Sequence, residues 1–172
     1  MRRSGHVYFI VEDDGDYHPE SQSPIKVGIS VDIDRRLKQL QTGNPDRLFI
    51  LGWIPSSDYK ELEKKLHRDL ASKNIQGEWF RLNAYEVIEL LQRHLGNLAR
   101  DREQLEFIGC DRDGISEFLS VWDWWDFEPE QCCSYCGSFS GMHYNEQLQS
   151  LYCHSCDTVE AWENPEEPDP DH

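Results

Sequence analysis

Apolar and polar residues alternate with a period of two in two early segments of the chain, which is typical of β-strands with one buried face. The first segment, HVYFIVED, covers residues 6–13, and the second covers residues 25–30. The alternating apolar positions are Val7, Phe9 and Val11, and then Ile25, Val27 and Ile29. The turn-rich sequence DGDYHPESQSP lies between the two segments, so we predict that they form an antiparallel hairpin.

A third strand and several helical segments follow. RLFILGWIP is apolar on both faces, which predicts a strand in a central position. A helix is predicted over residues 33–42, with Asp32 as its N-cap and TGNP as its end. SSDYKELEKKLHRDLASK predicts a second helix, and NAYEVIELLQRHLGNLARDREQLEFI predicts one long helix or two, starting from the cap Asn83. The predicted fold class is α/β (α+β), with a small, three-stranded, mainly antiparallel sheet flanked by helices.

Four of the six cysteines form two C-x-x-C pairs near the C-terminus. Cys133 and Cys136 form the first pair, 16 residues separate it from the second, and the second pair is Cys153 and Cys156. This spacing predicts a small zinc ribbon with a structural four-thiolate Zn²⁺ site. The alternatives are free thiols, Cys132 in place of Cys133, or a histidine ligand, His143 or His154, in place of a cysteine.

The acidic charge is confined to the second part of the chain. The formal net charge is −16, but residues 1–100 contain 15 Lys and Arg against 15 Asp and Glu. The remaining residues, 101–172, contain 2 basic residues against 18 acidic ones. We therefore predict an α/β domain followed by three acidic segments: a Trp-rich connector (101–129), the zinc ribbon (130–162) and a disordered tail (163–172).

The same patterns bear on location and partners. No apolar run approaches 18 residues, and the apolar stretch at the N-terminus is too short for a signal peptide. We expect a cytoplasmic protein without a membrane partner, in which cysteines bind metal rather than form disulfides. The acidic C-terminal region is poorly suited to nucleic-acid phosphates, so it favours a protein partner or packing against the α/β domain.

A glycine within the second strand and two arginines at the start of the following helix are unusual. Glycine inside a strand indicates a bulge or the close approach of a backbone or ligand. Arg35 and Arg36 lie in the first turn of the predicted helix, where the helix dipole is already positive. Both features are explained if an anion lies over the strand end, so Gly28 and these arginines are a candidate phosphate site.

Residues 6–80 resemble the GIY-YIG nuclease superfamily, in particular its branch of phage-type DNA-binding domains and meiotically up-regulated proteins. HVY (6–8) stands where the family has G-I-Y, and KVG (26–28) stands where it has Y-I-G. Arg36 follows Gly28 at the family's spacing. Glu63, His67 and GEWF (77–80) match the branch signature E-x-x-x-H…G-E-W-F. The chain departs from the family at Lys26, which replaces the second tyrosine, and GEWF occupies the place of the family's late asparagine.

The resemblance implies a metal-dependent endonuclease that hydrolyses phosphodiester bonds in DNA, in a phage, defence or mobile-element setting. Glu63 would bind Mg²⁺ or Mn²⁺. The implied catalytic residues are Tyr8, Lys26, Arg36, Glu63 and His67, and the predicted nucleic-acid contacts are Gly28, Arg35, Lys38 and Arg47. The alternative is a catalytically inactive nucleic-acid-binding or adaptor protein, whose acidic zinc ribbon recruits a protein partner.

Overall fold

The computed structural model describes residues 4–13, 21–99, 106–110, 116–119 and 127–161. The first two ranges contain a six-stranded sheet and three α-helices. The strands are β1 (Gly5–Asp13), β2 (Ser23–Ser30), β3 (Arg47–Ser56), β4 (Asn74–Gln76), β5 (Trp79–Leu82) and β6 (Asn97–Leu98). The helices are α1 (Ile33–Thr42), α2 (Tyr59–Asp69) and α3 (Ala84–Arg93).

The strand order is β4-β5-β2-β1-β3-β6, and every neighbouring pair is antiparallel. β1 and β2 form the predicted hairpin. The three predicted strands make up the centre of the sheet, and three short strands extend it at both edges. β3 is an interior strand, but β6 covers only Gly52 and Trp53 on its outer side. The α+β fold class is confirmed.

Helices cover both faces of the sheet, so each face contributes to a separate apolar core. On one face, α1 packs its Leu37 and Leu40 near the buried side chains of Tyr8, Ile10 and Ile50. On the other face, α2 and α3 enclose the larger core, whose members include Phe9, Val27, Leu51, Leu66 and Leu91. The strands are therefore apolar on both sides, as RLFILGWIP suggested.

The helix caps fix where α1 and α3 begin. The Asp32 side chain accepts a hydrogen bond from the Arg35 amide at 3.0 Å, as the sequence predicted. Asn83 and Glu86 form a reciprocal capping box at the start of α3. These caps satisfy amide groups that the first helical turn leaves without partners.

The prediction of a helix continuing beyond residue 93 is wrong. α3 ends at Arg93, and the chain turns through Leu95, which has a φ of 49°. The amide of Gly96 donates to the Leu91 carbonyl and the amide of Leu95 donates to the Gln92 carbonyl, which is the Schellman arrangement. The stop was not evident from the sequence because a leucine, and not a glycine, holds the left-handed position.

Replacing Leu95 with glycine is expected to stabilise the protein by about 0.5–1 kcal/mol. The left-handed conformation costs a side chain about 1 kcal/mol or more, while glycine adopts it freely. The Leu95 side chain is exposed, so little packing is lost. Urea denaturation of the parent and Leu95→Gly checks this, with Gln92→Gly, a change at an exposed position within α3, as a destabilising control. A lower midpoint for Leu95→Gly would contradict it.

The C-terminal region contains two further sheets. β7 (Glu106–Cys110) and β8 (Ser116–Leu119) form a hairpin, and β9 (His143–Asn145), β10 (Ser150–Tyr152) and β11 (Val159–Ala161) form a three-stranded antiparallel sheet. The tryptophans of the predicted connector and the predicted disordered tail lie outside the described residues. No helix within the described ranges is long and apolar enough to cross a membrane.

Candidate active site and metal centre

The five residues predicted as catalytic come from four elements that meet beside β2. Tyr8 lies on β1, Lys26 on β2, Arg36 on α1, and both Glu63 and His67 on α2. β5 pairs with β2 only as far as Lys26 and Trp79, so the second half of β2 is an edge of the sheet. Hydrogen bonds join Arg36 to Tyr8 and His67 to β2, and Glu63 lies within electrostatic range of Lys26 and His67.

Tyr8 and Gly28 lie directly opposite each other on β1 and β2. A Cβ atom added to Gly28 would lie 2.5 Å from the Tyr8 hydroxyl oxygen, so the glycine makes room for the tyrosine ring. Tyr8 is fully buried. Arg36 Nε donates to the Tyr8 hydroxyl at 3.4 Å, and this bond raises the pKa of Arg36. The strand glycine thus serves the placement of Tyr8, and its predicted contact with nucleic acid stays a prediction.

Gly28→Ala is expected to lower the free energy of unfolding by about 1–3 kcal/mol, because the added methyl group overlaps the buried Tyr8 ring. The matched control is Gly43→Ala at the end of α1, where an added Cβ has only ordinary contact, at 3.9 Å from the Leu40 carbonyl oxygen. Urea denaturation measures both changes. Equal stability of the two variants would show that Gly28 is not needed to accommodate Tyr8.

Lys26 is buried and ion-paired. Its Nζ lies 2.5 Å from Glu78 Oε2 and 5.5 Å from the centre of the Trp79 ring. Only 8% of the Lys26 surface is exposed, whereas 44% of the Glu78 side chain is exposed. A buried ammonium needs such a partner, because leaving it unpaired costs several kcal/mol. GEWF therefore places a carboxylate and an aromatic ring around Lys26.

The backbone of Val27 joins three elements at the centre of the site. Its amide donates to the Glu78 carbonyl at 2.9 Å, and its carbonyl lies 2.8 Å from His67 Nε2. A carbonyl only accepts hydrogen bonds, so Nε2 carries the proton and Nδ1 faces away from this contact. The His67 ring also packs on Phe80, with ring centres 5.0 Å apart. His67 thus holds α2 against β2, whatever part it has in chemistry.

Glu63 is a partly buried carboxylate one helical turn before His67. Burial raises the pKa of Glu63, and Glu78 adds to this, whereas His67 and Lys26 act in the opposite direction. A carboxylate that is partly removed from water and close to a second carboxylate is stabilised by a nearby cation. The Glu63 side chain is therefore suited to bind a divalent metal ion through oxygen, as Mg²⁺ and Mn²⁺ prefer.

The predicted nucleic-acid contacts are not all near this cluster. Arg35 and Lys38 are exposed on α1, the helix that carries Arg36. Arg47 begins β3, beside Asp13, whereas Tyr8 pairs with Trp53 at the other end of that strand. At about 3.4 Å per residue, Arg47 is roughly 17 Å from Tyr8 along the sheet. Its guanidinium lies over the Phe49 ring at 4.6 Å.

The four predicted zinc ligands meet in one cluster. Their sulfur atoms all lie within 4.8 Å of one another. The distance from Cys133 to Cys156 is 3.9 Å and that from Cys136 to Cys153 is 3.8 Å, both between Sγ atoms. Zn–S bonds of about 2.3 Å at tetrahedral angles place sulfur atoms roughly 3.8 Å apart. The donor set and its dimensions therefore fit Zn²⁺.

The two C-x-x-C segments fold as equivalent knuckles. Gly137 donates its amide to the Cys133 carbonyl at 2.9 Å, and Asp157 donates to the Cys153 carbonyl at the same distance. Both residues are left-handed, with φ values of 71° and 58°. Asp157 bears this conformation without being glycine, and its carboxylate accepts a hydrogen bond from Tyr152 Oη at 2.5 Å.

The thiols of the cluster differ in acidity. Burial raises the pKa of Cys133 and of Cys136. Burial acts to raise the pKa of Cys156, but hydrogen bonds with Thr158, Cys136 and Cys153 together outweigh it and bring that pKa to about 7. Backbone amides of Tyr135 and Ser155 point to sulfur atoms at 3.4 Å. Such donors stabilise thiolate, the form that binds metal.

Glu78 is the partner of Lys26, which the sequence alone does not indicate. The two residues are 52 positions apart, and no local pattern links them. The available signal was indirect: a lysine at a buried strand position requires an acidic partner, and GEWF offers a glutamate next to a turn glycine. Gly77, with a φ of 56°, makes this turn between β4 and β5.

Comparison with known proteins gives one match. The family model of the T5orf172 domain matches residues 5–95, which contain strands β1 to β5 of the sheet, the three helices and the cluster beside β2. Neither the curated proteins nor the solved structures include a match to the chain. T5orf172 domains are nuclease-related domains found in phages and mobile elements. Because the match spans more than half of the chain, this protein belongs to the T5orf172 domain family.

Proposed function

We propose that this protein is a cytoplasmic, metal-dependent endonuclease of the GIY-YIG type that hydrolyses phosphodiester bonds in DNA, in a phage, defence or mobile-element setting. One observation carries the proposal. A phenol, an ammonium, a guanidinium and a partly buried carboxylate meet beside one sheet edge, although they come from four elements. The nuclease-related family supports the same conclusion.

Each group has a task that phosphodiester hydrolysis requires. The Arg36 guanidinium binds the scissile phosphate and stabilises the charge that develops on it, because its fork of N–H groups matches phosphate oxygens. Tyr8 and Lys26 orient the attacking water. Glu63 would hold a divalent ion, which would supply Lewis-acid stabilisation of the leaving oxygen. His67 keeps α2, and hence Glu63, in place against β2.

The proposed DNA surface surrounds this edge of the sheet. Arg35 and Lys38 are exposed on α1, and the Gly28 backbone lies on β2. Contacts of lysine and arginine with phosphates release counterions, so binding should weaken as salt is added. Residues 127–161, which include the described part of the zinc ribbon, contain five acidic residues and no lysine or arginine. The surface of the ribbon should therefore lie away from the DNA.

A second candidate is a nucleic-acid-binding or adaptor protein without cleavage activity. The observation that favours it is the Lys26–Glu78 pair, because the lysine replaces the family's second tyrosine and its ammonium is already bound to a carboxylate. In this role the acidic zinc ribbon would recruit a protein partner. The surface beside β2 would still bind phosphate.

Incubation of the full-length protein with supercoiled plasmid separates the candidates. The endonuclease proposal predicts nicking with Mg²⁺ or Mn²⁺ and none with EDTA. A filter-binding measurement on the same DNA runs in parallel. DNA binding without nicking in either metal would favour the adaptor, and absence of both binding and nicking would contradict both candidates.

A further inference from the structure

The zinc ribbon is bound to the edge of the six-stranded sheet by backbone hydrogen bonds. The Leu98 amide donates to the Gly137 carbonyl at 2.8 Å, and the Phe139 amide donates to the Gly96 carbonyl at 2.9 Å. Between them, Asn97 and Ser138 form an antiparallel bridge. The segment 137–139 thus continues the sheet beyond β6, which is itself only two residues long.

Side chains of the ribbon also enter the main core. Cys132 and Phe139 are buried in the same cluster as Leu91 and Leu98. Phe127 packs its ring edge against Phe139, with ring centres 5.6 Å apart. Cys132 is adjacent to the metal ligand Cys133 but points into the other core. Neighbouring residues of the ribbon therefore contribute to the metal site and to the core of the main sheet.

Gly137 takes part both in the first zinc knuckle and in the contact with the sheet. Its amide closes the first zinc knuckle through the Cys133 carbonyl, and its own carbonyl accepts from Leu98. A Cβ atom at this position would lie 2.4 Å from the Leu98 carbonyl oxygen, and φ is 71°. No side chain fits there. The shape of the knuckle and the approach of the ribbon to the sheet are thus fixed together.

The second zinc knuckle is connected to segment 137–139 through hydroxyl groups. Ser138, which is buried, lies 3.0 Å from Ser155, and Ser140 lies 3.1 Å from Ser155, measured between Oγ atoms. Ser155 belongs to the Cys153–Cys156 knuckle. The second pair of metal ligands is therefore linked, through Ser155, to the residues that bind β6.

We infer that the four-cysteine site is a metal-controlled clamp on the nuclease-related domain: bound Zn²⁺ holds segment 137–139 on β6, and loss of the metal loosens β6 and the adjoining part of β3. Four-cysteine ribbons owe their folding to the metal. When the ribbon unfolds, Phe139 and Cys132 leave the core, and β6 loses its outer hydrogen bonds. This inference does not depend on whether the domain cleaves DNA.

The test uses the full-length protein and hydrogen exchange of peptides that cover residues 96–99 and 51–54. Zinc is removed with excess chelator, its removal is verified by elemental analysis, and zinc is then added back. We expect exchange in both segments to accelerate at least about ten-fold without zinc and to recover with it, because protection reports local opening. Unchanged exchange in both segments of zinc-free protein would overturn the inference.

A variant pair shows whether the contact itself transmits the effect. Phe139→Ala keeps all four cysteines but removes the ring that enters the core, so it should retain zinc while exchange in residues 96–99 becomes fast with or without chelator. Leu148→Ala, an exposed change elsewhere in the ribbon, should behave as the parent does. If exchange in zinc-loaded Phe139→Ala equals that of Leu148→Ala, the docking contact is not the clamp. The chelation experiment on the parent decides the question even if Phe139→Ala fails to fold.

Discussion

Arg36→Ala is expected to lower the rate of DNA cleavage by about 10²- to 10³-fold, the usual loss when a donor to the transition-state charge is removed. The Arg36 Nε is engaged with Tyr8 at 3.4 Å, and the terminal nitrogens of the guanidinium are suited to phosphate oxygens. The cost in stability should be about 1 kcal/mol, because the buried Tyr8 hydroxyl loses a partner. Single-turnover cleavage of a labelled duplex measures the effect.

Arg93→Ala is the matched control for this variant. Arg93 is exposed in the last turn of α3, on a different helix from Arg36. Its loss should leave the cleavage rate within about two-fold of the parent, since surface changes away from a site have small effects. Cleavage by folded Arg36→Ala at the Arg93→Ala rate would remove Arg36 from the mechanism.

Cys153→Ser should release the metal and unfold the ribbon. Freshly reduced parent protein is expected to contain about one Zn²⁺ per chain. Structural zinc contributes about 10–16 kcal/mol to the folding of small zinc domains, and three thiolates with a serine hold the ion far less well. Elemental analysis gives the metal content, and proteolysis reports unfolding, which should expose the chain between about 130 and 161.

Cys132→Ser distinguishes the true ligands from the neighbouring cysteine. Cys132 is buried in the core of the main sheet and is not one of the four clustered sulfurs. This variant should keep about one Zn²⁺ per chain, although a hydroxyl in an apolar core will lower its stability. Zinc retained by Cys153→Ser, or lost from a folded Cys132→Ser, would contradict the four-cysteine site.

The elements that could be predicted are those whose signals are local. The alternation over β1 and β2, the N-cap Asp32 and the C-x-x-C spacing each lie within a few neighbouring residues, and the structure contains the corresponding hairpin, helix and sulfur cluster. The short strands β4 and β6 have too few residues to show a period. The sheet was therefore expected to have three strands, and it has six.

The features that could not be predicted depend on distant partners. The sequence predicts that Gly28 makes room for a bound anion. In the structure it makes room for the ring of Tyr8. The pairing of Lys26 with Glu78 joins residues far apart in the chain. Packing of the ribbon against the α/β domain is one of the alternatives that the sequence leaves open, but no local pattern indicates that Cys132 and Phe139 enter the main core.

Glu63 is the residue on which the endonuclease proposal depends most, and Glu61 on the same helix is its natural control. Glu61 is exposed and pairs with Lys64 at 2.7 Å, whereas Glu63 is partly buried near Lys26 and His67. Glu63→Gln keeps the size of the side chain but removes the charge that holds a divalent ion.

The most direct measurement compares Mn²⁺-dependent single-turnover cleavage of one DNA duplex by the parent, Glu63→Gln and Glu61→Gln, with DNA binding recorded for each. We predict that Glu63→Gln binds the duplex about as well as the parent and cleaves it at least about 10²-fold more slowly. Glu61→Gln should cleave at the parental rate. Equal cleavage by all three proteins would contradict the proposed active site.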